Sequence, residues 1–299
     1  MKVFSNQYAQ TWLVVWLAFF SAGAISQQVM DASTIMEKMD TQQRRVNDGT
    51  FTQSRLSTCK FAKKDNKINC IETPRVKLME SVSKQFGQNK KDSKNISILL
   101  EPASERGIGM LSFSYDNNNK DSESWLYLSA LGKVKRIASG SSDDQEPTAI
   151  FGSEFSTEDM ENGKTDEYQY KILQQGLYVG RQVWVIESQP KPARLSKTHY
   201  SKILIWVEKE RLLPLKMQTY DKRGKPYKRL LFKNIVNVQG HWLARDVTIL
   251  NLKTLRLSNM KTEKIVLNRQ VSDEFLSQRT LTDFAFREKG LAALREQVQ

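Results

Sequence analysis

The chain of 299 residues carries 46 Lys and Arg against 33 Asp and Glu, for a formal charge of +13, with only two His and two Cys. Two histidines exclude a His-rich metal cluster, and no stretch beyond the first few dozen residues is apolar enough to cross a bilayer. In a cytoplasmic protein this basic balance would point to nucleic acid, but the first residues place the chain elsewhere.

Residues 1–26 hold one Lys, no acid and an apolar run from Trp12 to Phe20, followed by the small residues Ala22, Gly23 and Ala24. That pattern is a cleavable secretory signal, with cleavage after Ala24 or Ser26. The apolar core is short and wrongly flanked for a membrane span, although the bulky Trp12 and Trp16 keep an uncleaved anchor as the alternative. No Cys follows the cleavage site, so the chain is not itself a lipoprotein. The expected address is the periplasm. Removing the signal leaves +12, and the counter-charges there are lipid headgroups or the membrane surface, not nucleic acid. Alternatively, the charge serves only to keep the protein soluble.

From Val29 to Val46 the residues Val29, Ala32, Ile35, Met36 and Met39 recur at three- and four-residue steps, and Thr34 with Glu37 has capping-box spacing. This predicts an amphipathic helix within 27–48. Cys59 and Cys70 flank a polar segment whose Lys64-Asp65-Asn66 reads as a hairpin tip. In an oxidising compartment the pair forms a structural disulfide, the alternative being two buried thiols. Beyond Thr50 the period shifts toward two. Strands are predicted at Ser97 to Leu100, Gly109 to Tyr115, Trp125 to Leu128, Gln182 to Glu187, Ile203 to Glu208, Leu215 to Tyr220, Arg229 to Ile235, Leu243 to Leu250 and Lys264 to Leu267. Asp116 to Ser124 and Ser139 to Thr148 read as loops, Met160 to Asp166 as a turn or short helix, and the tail after Phe286 as one more helix. No repeat or linker divides 27–299, which is expected to be one domain: a helix at 27–48, a sheet over 50–279 and a C-terminal tail at 280–299.

Catalytic chemistry has little to work with. His199 and His241 neighbour no nucleophile motif, and the acids Glu154, Glu158 and Asp159 read as solvated loop residues. The cluster Lys222, Arg223, Lys225, Lys228 and Arg229 reads as a solvated hairpin face. No enzyme activity, cofactor or metal is expected.

The run SWLYLSALGKVKRIAS from Ser124, followed by Gly152-Ser153-Glu154-Phe155-Ser156, resembles the signature of the exported LolA-like outer-membrane lipoprotein-sorting proteins. Trp206 to Lys225, with Leu213-Pro214-Leu215-Lys216-Met217 and Tyr220-Asp221, agrees with it. Weaker echoes lie at Leu99-Leu100-Glu101-Pro102-Ala103, Gly107-Ile108-Gly109 and Gly240-His241-Trp242. One departure is Ser129, where such proteins often carry Pro.

The resemblance implies a mainly β, α+β fold in which a single curved antiparallel sheet forms an incomplete β-barrel, lidded by the N-terminal amphipathic helix and short helices. Its implied task is to shield the acyl chains of a lipid or acylated lipoprotein taken from inner-membrane machinery, with an RND-type exporter as an implied partner. The membrane surface would be met transiently, and the protein would be a monomer. A different implied role is a regulatory module that senses lipid and grips a membrane protein such as an anti-sigma factor. The residues expected to line the cavity are Leu111, Phe113, Trp125, Tyr127, Trp184, Ile186 and Ile205, with Trp206 undecided in face. The lid would contribute Ile35, Met36 and Met39. Lys133 and Arg136, with Lys135 between them, are expected at the mouth, meeting a headgroup or partner, or alternatively guarding an exposed strand end.

Overall fold

The computed structural model describes residues 30–65, 67–87, 90–117, 119–137, 148–160 and 164–296. The expected signal segment and most of the predicted Ser139 to Thr148 loop lie outside these residues. Among the described residues no helix is long and apolar enough to cross a membrane, and Asp31–Gln299 forms one compact unit.

Helix α1 (Ala32–Asn47) opens at Asp31, whose carboxylate accepts from the Thr34 backbone N–H. The cap is therefore three residues upstream of the predicted capping box, because Asp31 offers an acceptor where the chain is still extended. Strands β1 (Thr50–Lys64), β2 (Lys67–Cys70), β3 (Arg75–Phe86), β4 (Asp92–Glu101), β5 (Gly109–Ser114), β6 (Glu123–Leu128) and β7 (Lys133–Ile137) follow. Then come β8 (Tyr168–Tyr178), β9 (Arg181–Pro190), the short α2 (Pro192–Leu195), β10 (Lys202–Glu208), β11 (Pro214–Tyr220), β12 (Pro226–Val238), β13 (His241–Asn251) and β14 (Arg256–Val266). Helices α3 (Gln278–Thr282) and α4 (Phe284–Arg295) end the chain. Strands β1 and β2 pair as a hairpin with Lys64 facing Lys67, and Cys59 is bonded to Cys70.

All pairing is antiparallel, in the order β7-β6-β5-β4-β3-β1-β14-β13-β12-β11-β10-β9-β8, with β2 paired to β1 alone. The sheet does not close on itself, as expected of an incomplete barrel. Its curvature follows from α1. A helix of 16 residues is about 24 Å long, yet α1 touches both β3 and β8. Those strands are eight steps apart, about 38 Å in a flat sheet. The sheet must therefore curl around α1. Loops bridge the gap between its two ends: Lys197 pairs with Asp121 at 2.8 Å, and Lys164 donates to the Asn117 carbonyl at 3.1 Å.

The two faces of the sheet bury different cores. On the outer face the cross-strand row Phe51, Val82, Ile96, Leu111 and Trp125 packs under Val271, Phe275, Leu276, Leu281, Leu291 and Leu294. The segment expected to be a tail is thus a structural cover. Gly109 shows how close it lies: a Cβ there would sit 2.6 Å from Ile98 Cδ1 and 2.8 Å from Leu281 Cδ2. On the inner face Leu56, Met79, Leu99, Met110, Leu230 and Ile249 gather around Phe151 and Phe155.

Leu281, fully buried in the outer core, is expected to cost about 2–5 kcal/mol on truncation by Leu281→Ala. Lys225→Ala on the exposed β11–β12 turn should stay within about 0.5 kcal/mol. Urea unfolding of the two variants, read by tryptophan fluorescence, checks the contrast.

Candidate functional site

A strap of residues 148–160 crosses the inner face. Its start is a tight loop closed by the Ala149–Ser156 bridge and by Ile150 N–H donating to the Phe155 carbonyl at 2.8 Å. Phe151 (φ 50°) and Gly152 (φ 69°) make the left-handed turn that aims the two phenylalanines into the inner core. Polar side chains pin the strap along its length. Lys77 Nζ donates to the Phe151 carbonyl at 2.9 Å and pairs with Glu105 at 2.5 Å. Glu154 accepts from Arg256 Nε at 3.1 Å and Asn251 Nδ2 at 2.9 Å, while its own N–H reaches Ser258 Oγ at 3.0 Å.

The far end is the tightest. Asp159 takes Lys228 Nζ at 2.6 Å, the Ser156 hydroxyl at 2.7 Å and the Tyr200 hydroxyl at 2.5 Å, and the Asp159 and Lys228 side chains are only 2% and 3% exposed. Burial, reinforced by the Asp159 charge, pushes the Tyr200 hydroxyl well above its ordinary range. Glu158 accepts from the Thr198 hydroxyl and the His199 N–H and meets His199 Nδ1 at 2.8 Å. The three acids expected to be solvated are therefore all bound by protein groups, and Lys228, expected on a solvated face, is the buried partner of Asp159. The 69 residues that separate Asp159 from Lys228 hide that pairing from any local reading.

Beside the strap lies a hollow of about 230 Å³ lined by Ile108, Met110, Leu126, Leu128, Ile137 and Phe151, with Lys77 and Glu105 among its polar edges. Its walls suit an aliphatic chain. At less than the roughly 300 Å³ where small-molecule sites begin, it has room for only part of one while the strap stays in place. A larger cavity of about 520 Å³ runs between α1 and the β12–β13 turn, where Leu212 and Trp242 are mixed with the charged and polar Glu37, Lys38, Gln42, Arg45 and His241. Nearby on α1, burial raises the Asp40 carboxyl to about 6 although Arg44 pairs with it at 2.8 Å. Lys91, Asp116 and Tyr170 are the other charged or titratable groups that it feels.

The residues expected to line one cavity fall into three groups. Trp184, Ile186 and Ile205 share the inner face with Met217 and Leu230, and Ile35 and Met36 of α1 are buried while Met39 is half-buried. Leu111, Phe113, Trp125 and Tyr127 are on the outer face, packed with the C-terminal helices. Trp206 is also outside, under Lys216 Nζ at 3.9 Å and beside Tyr178. Sequence reasoning missed the alternate residues Met110, Leu126 and Leu128, one step from the residues it chose. Strand β7 is an edge, and its alternation separates the basic residues. Lys133 and Lys135 pair with Leu128 and Leu126 and share the face of the hollow, whereas Arg136 pairs with Trp125 and bonds Glu123 at 2.9 Å outside. Ser129, in place of the expected Pro, holds its turn by donating to the Arg106 carbonyl at 2.9 Å. Among the described residues no group of three His, Cys, Asp or Glu is placed to hold a metal.

A family model described as "Uncharacterized protein" matches residues 91–283. No curated protein sequence matches the chain. Solved structures do. A DUF1329 family protein from Desulfovibrio piger superposes with a TM-score of 0.72 at 23% identity, over 83% of this chain and 97% of that one. A domain from Vibrio parahaemolyticus, named for outer membrane lipoprotein sorting, gives 0.68 at 21%, over 84% and 98%. A LolA superfamily protein from Nitrosomonas europaea gives 0.59 at 18%, over 83% and 98%. At these identities the likeness establishes the fold.

Removing one partner of the buried pair, by Asp159→Ala, should cost about 3–5 kcal/mol because Lys228 keeps its charge in a dry site. Replacing both, Asp159→Leu with Lys228→Met, should recover part of that loss in denaturant unfolding, the remainder coming from the Tyr200 hydroxyl and Ser156 left without their acceptor. Asp40 gives a pH dependence of known sign. Its folded pKa of about 6 lies above the ordinary 3.8, so the folded state binds the extra proton and stability falls as pH rises from about 4 to about 6. The total is about 2–3 kcal/mol. Asp40→Asn should abolish that slope, leaving the variant more stable than the parent at pH 7.5 and not at pH 4.

Proposed function

Because this chain belongs to that family of uncharacterized proteins and has a LolA-like fold, we propose that it is a periplasmic, non-catalytic carrier that shelters acyl chains on the inner face of the sheet. One observation carries the reading: the inner face holds an apolar hollow whose wall, Phe151, belongs to a strap and not to the sheet. A wall of that kind is exchangeable. Sheltering an acyl chain is favourable by about 0.8 kcal/mol per methylene, and displacing the aromatic strap residues offsets part of it. Such near-balance is what a carrier needs, since a cavity that gripped too tightly would not release its cargo.

Other features agree with the proposal. Lys133 and Lys135 on the face of the hollow offer a headgroup phosphate its counter-charge. The Cys59–Cys70 disulfide fits an oxidising compartment. The cargo would be a lipid or an acylated lipoprotein, delivered from inner-membrane machinery such as an RND-type exporter toward the outer membrane.

Native mass spectrometry of the mature protein isolated from periplasm, followed by organic extraction, tests the proposal. A defined lipid or lipoprotein adduct is expected. Leu126→Trp, which fills the hollow, should reduce uptake at least about tenfold without lowering the unfolding temperature. A clean apo mass, unchanged after incubation with total membrane lipid, sinks the carrier reading and favours a module that grips a membrane protein instead.

A further inference from the structure

The β1–β2 hairpin stands apart from the rest of the sheet. Strand β2 has β1 as its sole neighbour, and the Cys59–Cys70 bond closes the hairpin with a Cα–Cα separation of 5.8 Å. Two-stranded ribbons of this kind are marginal in water, so the crosslink, together with the root of β1 in the main sheet, keeps this one shaped. Its side chains are unusual. Lys60, Lys63, Lys64, Lys67 and Arg75 are all exposed, and among the described residues none of their side chains has an ion-pair or hydrogen-bond partner. Lys64 and Lys67 directly oppose each other, a like-charge pairing that costs stability and that the one neighbouring carboxylate, Asp65, offsets only in part.

Apolar side chains are exposed among these cations. Ile71 is 64% exposed and Leu255, on the turn whose carbonyl accepts from Phe61 N–H, is 55% exposed; Ile68 and Val76 are also open to solvent. The one aromatic of the hairpin, Phe61, is buried. Protein interfaces are depleted in Lys and enriched in exposed aromatics, so this patch is a poor match for a protein partner. Lysines with isoleucines between them, their stems lying on apolar surface and their heads in water, match the headgroup layer of a bilayer. The strand that leaves the hairpin carries Arg75 and then Lys77, which lines the hollow.

We propose that the β1–β2 hairpin docks the protein reversibly on an anionic phospholipid bilayer and sets the rim of the hollow at that surface. The docking stands by itself; its purpose rests on the carrier reading. Docking is measured by co-flotation of the full mature chain with vesicles of phosphatidylcholine, alone or mixed with phosphatidylglycerol. Cavity loading is measured separately, with monomeric lysophospholipid and no vesicles.

The parent protein should float only with the anionic vesicles and be released by high salt. K63E/K64E/K67E should lower the partition coefficient by about 100-fold or more, and I68S/I71S by about tenfold. Both variants should take up lysophospholipid as the parent does and unfold at its temperature. A parent that stays down with anionic vesicles, or a triple variant that floats as well as the parent, overturns the proposal. So does a parent that ignores vesicles yet binds an acidic polypeptide through these lysines. Normal flotation with no lysophospholipid uptake upholds docking and removes the carrier reading.

Discussion

Thirteen strands hydrogen-bonded in one path leave two unpaired edges and an inner face that nothing in the sheet itself can cover. A closed barrel would hide both, but it would leave no seam through which a chain-like guest could pass. This molecule curls far enough for α1 to reach β3 and β8 together and stops there, spanning the remaining gap with loops whose contacts are polar. Polar bridges suit a seam, because water replaces them at small cost, whereas strand pairing across the gap would be cooperative and hard to open. The edge β7 is kept from pairing with other chains by its own sequence, in which Lys133, Lys135 and Arg136 are three of the five residues and put positive charge on both faces.

The strap complements that design with a division of labour. Phe151 and Phe155 occupy apolar space that a guest could use, while Glu154, Glu158 and Asp159 bind to fixed points on β12, β13, β14 and the 198–200 segment. Ion pairs buried as deeply as Asp159–Lys228 add little net stability over apolar residues of the same shape, but they allow one geometry only. The strap is anchored firmly at Asp159. Near Phe151 it is held by the half-exposed Lys77–Glu105 pair and by one hydrogen bond to a carbonyl. Displacement beginning at the Phe151 end and hinging on the Asp159 end is therefore the motion that these contacts resist least.

Much of the fold was legible in the sequence. Runs such as Gln182 to Glu187 and Ile203 to Glu208 are short, β-branched and bounded by turns, and Ser124 to Ile137 and Trp206 to Lys225, quoted for the family resemblance, lie on strands and turns. Strands β1 and β3 are individually hard to read because polar residues, chiefly Ser, Thr, Gln, Lys and Arg, fill most of their positions and blur the alternation that reveals a half-buried strand. Strand β8 hid because it is an edge with mostly exposed residues. The site was less legible for a sharper reason. Aromatic residues drew attention to Trp125, Tyr127 and Phe113, but with cores on both sides of the sheet an inward aliphatic and an outward aromatic give the same pattern. The buried acids were misread because burial of a charge depends on a partner, and their partners lie on distant strands.

Strand β6 shows what two cores ask of one short segment. Trp125 and Tyr127 belong to the core under the C-terminal helices, and Leu126 and Leu128 to the wall of the hollow, so four consecutive side chains answer alternately to two unrelated neighbourhoods. Six residues with no idle face have little room to drift. A change that reshapes the hollow at Leu126 must leave the strand's twist acceptable to Trp125, and a repacking of the outer helices is felt through the same backbone as a shift in the hollow's dimensions. The shape of the hollow and the global architecture thus share a component. Variation in the dimensions of the hollow has its easier outlet in the strap and in the 106–108 turn, where a side chain changes one wall without disturbing the other.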